Sequence, residues 1–165
     1  IYSRDKAHKS ILSSRVSQDE DHLKDIMARV DNGDTSAKIR REMGVTMNDY
    51  VAVFRTVGGM ETARKKLRDL KDRFQRVPVQ DKGRVFNTNI IFTIELGFML
   101  DCAETIVMSA LERKESRGAH FMTEYPERDD ENWIKHISVR STPDGPQLGH
   151  VPVTITQWQP EVRSY

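Results

Sequence analysis

Apolar residues recur at helical spacing over most of the first 118 positions, then switch to strand-like alternation near the end of the chain. From Gln18 onward Leu23, Ile26, Met27 and Val30 fall on one face, and Asn32-Gly33, a pair that tolerates left-handed backbone, closes that helix. Thr35 or Ser36 caps a short second helix carrying Ile39 and Met43, which stops at Gly44. Thr46 or Asn48 opens a third, with Met47, Tyr50, Val51 and Phe54 turned inward, and Gly58-Gly59 breaks the run. The next pattern is the clearest. Met60, Ala63, Leu67, Leu70 and Phe74 step by 3, 4, 3 and 4, the seam of an antiparallel bundle. Pro78 and Gly83 mark a loop, and a long helix follows from Asn87 or Thr88 to the neighbourhood of Arg117. On it Phe92, Leu96, Met99, Ala103, Ile106 and Ala110 form one apolar stripe, and Ile91, Ile94, Phe98 and Cys102 form a second. A helix apolar on two faces is a central one, packed on both sides.

Beyond Gly118 the helical period ends. Tyr125-Pro126 to Asn132 is an acidic loop. Ile137 and Val139, then Val151, Val153 and Ile155, alternate with polar residues on either side of Thr142-Pro143-Asp144-Gly145-Pro146, a turn composition. The pattern predicts a β-hairpin there and an extended tail over Gln157–Tyr165. The expected fold is mainly α: an antiparallel helical bundle of about three main helices plus short ones, with a small C-terminal β-hairpin and extended tail. The expected divisions are a poorly defined N-terminal segment (1–17), the helical bundle (18–118), and the acidic loop, hairpin and tail of the same domain (119–165).

Charge narrows the function classes. Lys and Arg number 26 against 25 Asp and Glu, a net charge of +1, which argues against a dedicated nucleic-acid or membrane-surface binder. The most apolar stretch, Val85–Leu111, is interrupted by Glu95, Asp101 and Glu104, so it reads as a buried helix and not a membrane span. One cysteine, Cys102, excludes an internal disulfide and a Cys₄ zinc site; its place on an apolar stripe makes it a core residue. The chain opens at Ile1 on a basic, Ser-rich stretch without an apolar run of signal-peptide length, which reads as a fragment or a processed product.

No Gly-rich phosphate cradle and no G-x-S-x-G nucleophile turn occurs. His8, His22, His120, His136 and His150 include no i, i+4 pair, so a metal site would have to be assembled by tertiary contact. The basic helix Arg64–Arg76 reads as a solvated face with Asp69 and Asp72 as local partners, or as a docking face for an anionic partner. The densest cluster is Arg113-Lys114-Glu115-Ser116-Arg117-Gly118-Ala119-His120, followed by Glu127-Arg128-Asp129-Asp130-Glu131-Asn132-Trp133. The first string has the form of a helix C-terminus, cations on the negative end of the dipole and Gly118 as the left-handed residue beyond it. Alternatively, Arg117 and His120 point outward to meet a ligand or another domain.

Several strings together resemble a known family. Arg84-Val85-Phe86-Asn87-Thr88-Asn89, Glu95-Leu96-Gly97, Arg113–His120 and Pro126-Glu127-Arg128-Asp129-Asp130-Glu131-Asn132-Trp133-Ile134-Lys135-His136 are similar, in that order, to the C-terminal domain of succinate dehydrogenase/fumarate reductase flavoprotein subunits. Ile39–Met43, Val53-Phe54-Arg55-Thr56 and the closing Val162-Arg163-Ser164-Tyr165 fit the same domain. L-aspartate oxidase resembles it at Lys114–Gly118 but generally lacks the acidic-Trp-Lys-His segment. The resemblance implies a helical bundle packed on a flavin-binding domain. The parent enzyme would oxidise succinate or reduce fumarate at FAD, pass electrons to an iron–sulfur subunit, and sit peripherally on the cytoplasmic side of a membrane-associated complex. No cofactor is expected on this chain itself, because the flavin-linking and substrate motifs are absent from it. The expected role is non-catalytic docking, with Arg113, Lys114, Ser116, Arg117, His120, Arg128 and Asp130 as the docking edge. The alternatives are direct contact of Arg117 or His120 with flavin or dicarboxylate, and a stand-alone helical interaction module.

Overall fold

The computed structural model describes residues 9–30 and 33–161; Asn32 and the closing Val162–Tyr165 lie outside the described residues. Three helices build the bundle, and each starts at a side chain that takes up an orphan backbone N–H. Thr35 accepts from the Lys38 N–H at 3.2 Å to open α2 (Ser36–Tyr50). Thr56 accepts from Gly59 at 3.0 Å to open α3 (Val57–Phe74), and Asn87 accepts from Ile90 at 3.0 Å to open α4 (Thr88–Glu112). The 3-4 seam of α3, from Met60 to Phe74, is buried along its whole length. It packs between Ile39 and Met43 of α2 and Leu96, Leu100, Ala103 and Val107 of α4. An earlier helix, α1 (Lys9–Ala28), joins this core only at its end. There Ile26 is buried and Arg29 donates to the Phe74 carbonyl at 3.1 Å, while Leu12, Val16 and Leu23 are exposed.

Two small sheets complete the fold. β1 (Phe54–Arg55) pairs in parallel with β2 (Phe121–Met122), clipping the segment after α4 onto the α2–α3 link. Met122 is fully buried there, and the Thr123 N–H adds a 2.9 Å bond to the Arg55 carbonyl. A single helical turn, α5 (Asp130–Trp133), is capped by Asp129 and leads into the hairpin of β3 (Lys135–Thr142) and β4 (Gly145–Pro152). Thr142 opposes Gly145, so Pro143 and Asp144 make a two-residue turn, and Gly145 takes the left-handed φ of +104° that follows it.

The helical domain with its C-terminal hairpin is as the periodicity predicts; several boundaries differ. α1 starts at Lys9, not near Gln18, and ends at Ala28 before the expected Asn32-Gly33 stop. Gly44 does not end a helix. It faces open space within α2 while Ile39, Met43 and Thr46 bury the opposite side, and that packing outweighs the roughly 1 kcal/mol propensity cost of glycine. Phe54, expected inside, is 79% exposed and stacks edge-on against Phe121. Gly58-Gly59 lies in the first turn of α3, where a Cβ on Gly59 would sit 2.9 Å from the capping Thr56 Oγ1. α4 ends at Glu112, so the Arg113–His120 string leaves the helix instead of finishing it. Gly118, at φ +59°, turns the chain with Ala119 between bridged Arg117 and His120.

The largest departure concerns the outer side of α4. Phe98 and Cys102 are exposed, and Ile91, Phe92 and Ile106 are about half so. Cys102 is therefore not a core residue. Among the described residues α4 is packed on one side only.

Candidate functional site

The segment after α4 is organised by one buried charge. Glu115 is completely inaccessible, and it lies between two arginines. Arg117 reaches it through Nε to Oε1 at 2.8 Å and Nη2 to Oε2 at 2.9 Å, and Arg113 donates Nη1 to Oε1. The Asp129 N–H donates to Oε2 at 2.9 Å. Burial pushes the Glu115 carboxyl up, but these four donors outweigh it and hold the group below the usual carboxylate range. A buried carboxylate is tolerated here because every oxygen is hydrogen-bonded.

The other expected docking residues extend this cluster. Arg117 Nη2 also meets Asp130 Oδ1 at 2.6 Å, and Arg128 forks onto both oxygens of the same carboxylate. The two guanidiniums bring the Asp130 carboxyl down to about 2. Arg113 Nη2 donates to the Lys135 carbonyl at 2.6 Å, Nη1 to the Trp133 carbonyl at 3.1 Å, and its guanidinium lies 5.2 Å over the Trp133 ring. Ser116 Oγ donates to the Tyr125 carbonyl at 2.8 Å and accepts the Met122 N–H at 2.9 Å. Six of the seven residues thus converge on one knot joining α4, β2, α5 and β3. Lys114 does not; its side chain stands in solvent. Sequence reasoning passed over Glu115 as a site residue and Arg55 as the partner of His120, although an acid between Arg113 and Arg117 was an available signal for the first.

His120 links the knot to β1. Its Nε2 lies 3.2 Å from the Arg113 carbonyl and its Nδ1 lies 2.6 Å from Arg55 Nη1. A carbonyl only accepts and a guanidinium only donates, so the ring is neutral with its proton on Nε2. Burial pushes the imidazole below its ordinary value, and the Arg55 and Arg113 charges push the same way. Arg55 Nε is fixed by the Val51 and Ala52 carbonyls at 3.1 and 2.7 Å. Beside this pair lies an open groove of about 410 Å³ floored by Ile106, Ala110 and Ile137.

The groove continues into the bare outer side of α4. At the far end of that side the loop before α4 presents Val85 and Phe86, which are 78% and 95% exposed. Phe86 is at φ +52°, a conformation that bulky residues avoid, and Asn87 Nδ2 holds the loop through the Asp81 and Gly83 carbonyls at 2.7 and 2.9 Å. The basic helix resolves differently. Lys71 pairs with Asp101 and Glu104, Arg73 with Asp34 and Glu42, and Lys66 covers the Tyr50 ring, so much of its charge is used inside the chain.

The sequence profile described as "Fumarate reductase flavoprotein C-term" matches residues 40–165. The chain belongs to that family. The fumarate reductase flavoprotein subunit of Haemophilus influenzae is 38% identical over 168 residues, covering 96% of this chain and 28% of the relative. That of Escherichia coli K12 is 42% identical over 149 residues, covering 88% and 25%, and the succinate dehydrogenase flavoprotein subunit of Rickettsia conorii is 34% identical over 150 residues, covering 87% and 25%. Among solved structures, the E. coli quinol fumarate reductase FrdA superposes with a TM-score of 0.91 at 37% identity, over 97% of this chain and 28% of that one. The chain therefore corresponds to the C-terminal domain of these flavoprotein subunits and spans about 28% of the length of the relatives it matches most fully.

The described residues do not fit a dinucleotide. The two sheets have two strands each, and neither β1 nor β3 leads through a glycine-rich turn into a helix N-terminus. No group of three or more His, Cys, Asp or Glu among the described residues could hold a metal ion, and no helix of the described residues is long and apolar enough to cross a membrane.

Proposed function

We propose that this chain is the docking domain of an FAD-dependent flavoprotein subunit that interconverts succinate and fumarate, and that its own contribution is non-catalytic. The flavin would be held by the larger part of the subunit, which this domain buttresses, with electrons leaving to an iron–sulfur subunit and the assembly lying peripherally on the cytoplasmic face of a membrane. One observation carries the docking role. Ile91, Phe98, Cys102 and Ile106 form an uncovered apolar line along a helix whose opposite side is already packed, and Phe86 in the loop before it is exposed as well. Such a patch marks an interaction surface, and the missing bulk of the relatives' length is the natural cover.

The polar edge then serves as a rigid frame. Arg113, Ser116, Arg117, His120, Arg128 and Asp130 hold the chain between α4 and β3 in one shape, and Lys114 stands outside it as a surface cation. Arg117 has two carboxylates as partners, which favours framing over clamping a substrate carboxylate.

The test is a full-length subunit carrying Phe98→Asp. The expected result is loss of retained FAD by about tenfold or more, since a charge in an apolar interface is strongly disfavoured. Full flavin retention with normal fumarate turnover would overturn the docking role.

A further inference from the structure

The charge distribution around the groove points beyond a purely apolar interface. Within the knot each of Arg113, Arg117 and Arg128 pairs with a carboxylate, that of Glu115 or Asp130. Arg55 lies outside those pairs. Its guanidinium is half-buried, it rests on two carbonyls and a neutral imidazole, and no carboxylate is within ion-pairing distance among the described residues. Its Nη2 makes no hydrogen bond among them. The groove it faces is lined by Thr105, Ser109, Arg113, His120 and His136 as well, and by no acid. A half-buried cation without a counter-charge is costly, and burial alone lowers the Arg55 pKa.

We propose that this groove receives one aspartate or glutamate side chain from the flavin-binding part of the same polypeptide, which pairs with Arg55. The inference rests on the reading of this chain as the docking domain of a longer flavoprotein subunit. Three features favour a protein side chain over a free dicarboxylate. Arg55 offers one uncompensated charge, whereas a dicarboxylate calls for two. The floor of Ile106, Ala110 and Ile137 is apolar and suits the stem of a side chain. Ile106 also belongs to the outer side of α4, so the groove is continuous with the surface that the same partner would cover.

The experiment uses the full-length subunit with Arg55→Lys, which puts a primary amine at the groove, treated with a water-soluble carbodiimide and mapped by mass spectrometry. The expected product is an amide between position 55 and an Asp or Glu outside residues 1–165, absent from wild type and from Arg55→Gln. Amide exchange along 91–106 should quicken about tenfold in Arg55→Gln and recover in Arg55→Lys. A link only to an acid within this chain, or no link in a folded Arg55→Lys subunit, overturns the proposal. Slower exchange at the groove on adding succinate or fumarate also overturns it, in favour of a free dicarboxylate. Should Arg55→Lys fail to fold, wild type decides: Arg55 is expected to resist an arginine-selective dicarbonyl reagent, and modification as fast as the exposed Arg68 refutes the pairing. FAD content and fumarate turnover of wild type test the parent reading separately, since a cross-link can form in a subunit that lacks both.

Discussion

Arg73 and Glu115 occupy opposite versions of one arrangement. Arg73, near the end of α3, is a cation among acids: it forks onto Asp34 at 2.9 and 3.0 Å and onto Glu42 at 2.6 and 3.1 Å, with Asp69 behind at 3.4 Å. Glu115 is an acid among cations. The decisive difference is water. Of the acids around Arg73, Glu42 and Asp69 are 39% and 66% exposed and only Asp34 is largely covered, at 15%, whereas Glu115 is at zero. Near the surface a lost partner is replaced by solvent, and ion pairs there are worth little. In the interior a lost partner leaves an unsatisfied group, so the buried node sets the shape of its segment and the rim node only trims stability.

The contrast is broken most directly by Glu115→Gln. We expect a loss of about 3 kcal/mol, the low end for breaking a buried ion pair because Arg117 can still reach water. Urea unfolding measures it, and a loss under about 1 kcal/mol would mean that the node behaves like a surface pair. Arg117→Ala comes next. Glu115 keeps Arg113 and the Asp129 N–H, so about 1–2 kcal/mol is expected for the lost charged hydrogen bonds. Arg73→Ala should cost about 1 kcal/mol, because two of its three acids are open to solvent, and the cost should shrink in high salt, as screening of a partly exposed network requires. An Arg73→Ala penalty equal to that of Glu115→Gln would erase the distinction.

The two nodes also differ in how far the sequence announced them. The Met60–Phe74 seam is readable from spacing, the helix start at Asn87 or Thr88 from its capping residues, and the hairpin turn from its Pro-Asp-Gly composition, all of them local patterns. The failures are all tertiary. Gly44 and Gly58-Gly59 have the form of breaks, yet one faces solvent in a helix held by its other side and the second pair opens a helix beside its cap. The parallel pairing of Phe54-Arg55 with Phe121-Met122 involves two residues a side, too few for any period to show. The double apolar stripe on α4 is visible in the sequence, but spacing does not tell which stripe a neighbouring element covers, and among the described residues the outer one is bare. At the candidate edge the cluster was found and its centre was missed, because a glutamate in a run of charges looks like a surface residue until Arg113, Arg117 and Asp129 close over it.

His120 gives the smallest and most specific test, because it stands where the two kinds of node meet. It faces Arg55 and Arg113, two cations that disfavour a proton on the ring, and Glu115, which favours one less strongly. With burial added, the folded state holds the imidazole below its unfolded value of about 6.5. The unfolded chain therefore binds more protons than the folded one in the window just under that value. The stability from neutral His120 is full above about pH 6.5 and is lost as pH falls through the lower folded value. The chain carries other histidines, so the useful quantity is a difference: unfolding free energy of wild type minus His120→Gln, from about pH 7.5 to about pH 5, above the range in which carboxylates dominate. That difference should decline as the pH falls. A flat difference would mean that the ring changes protonation equally in both states, and an increase on acidification would place an anion beside it instead of the Arg55 guanidinium.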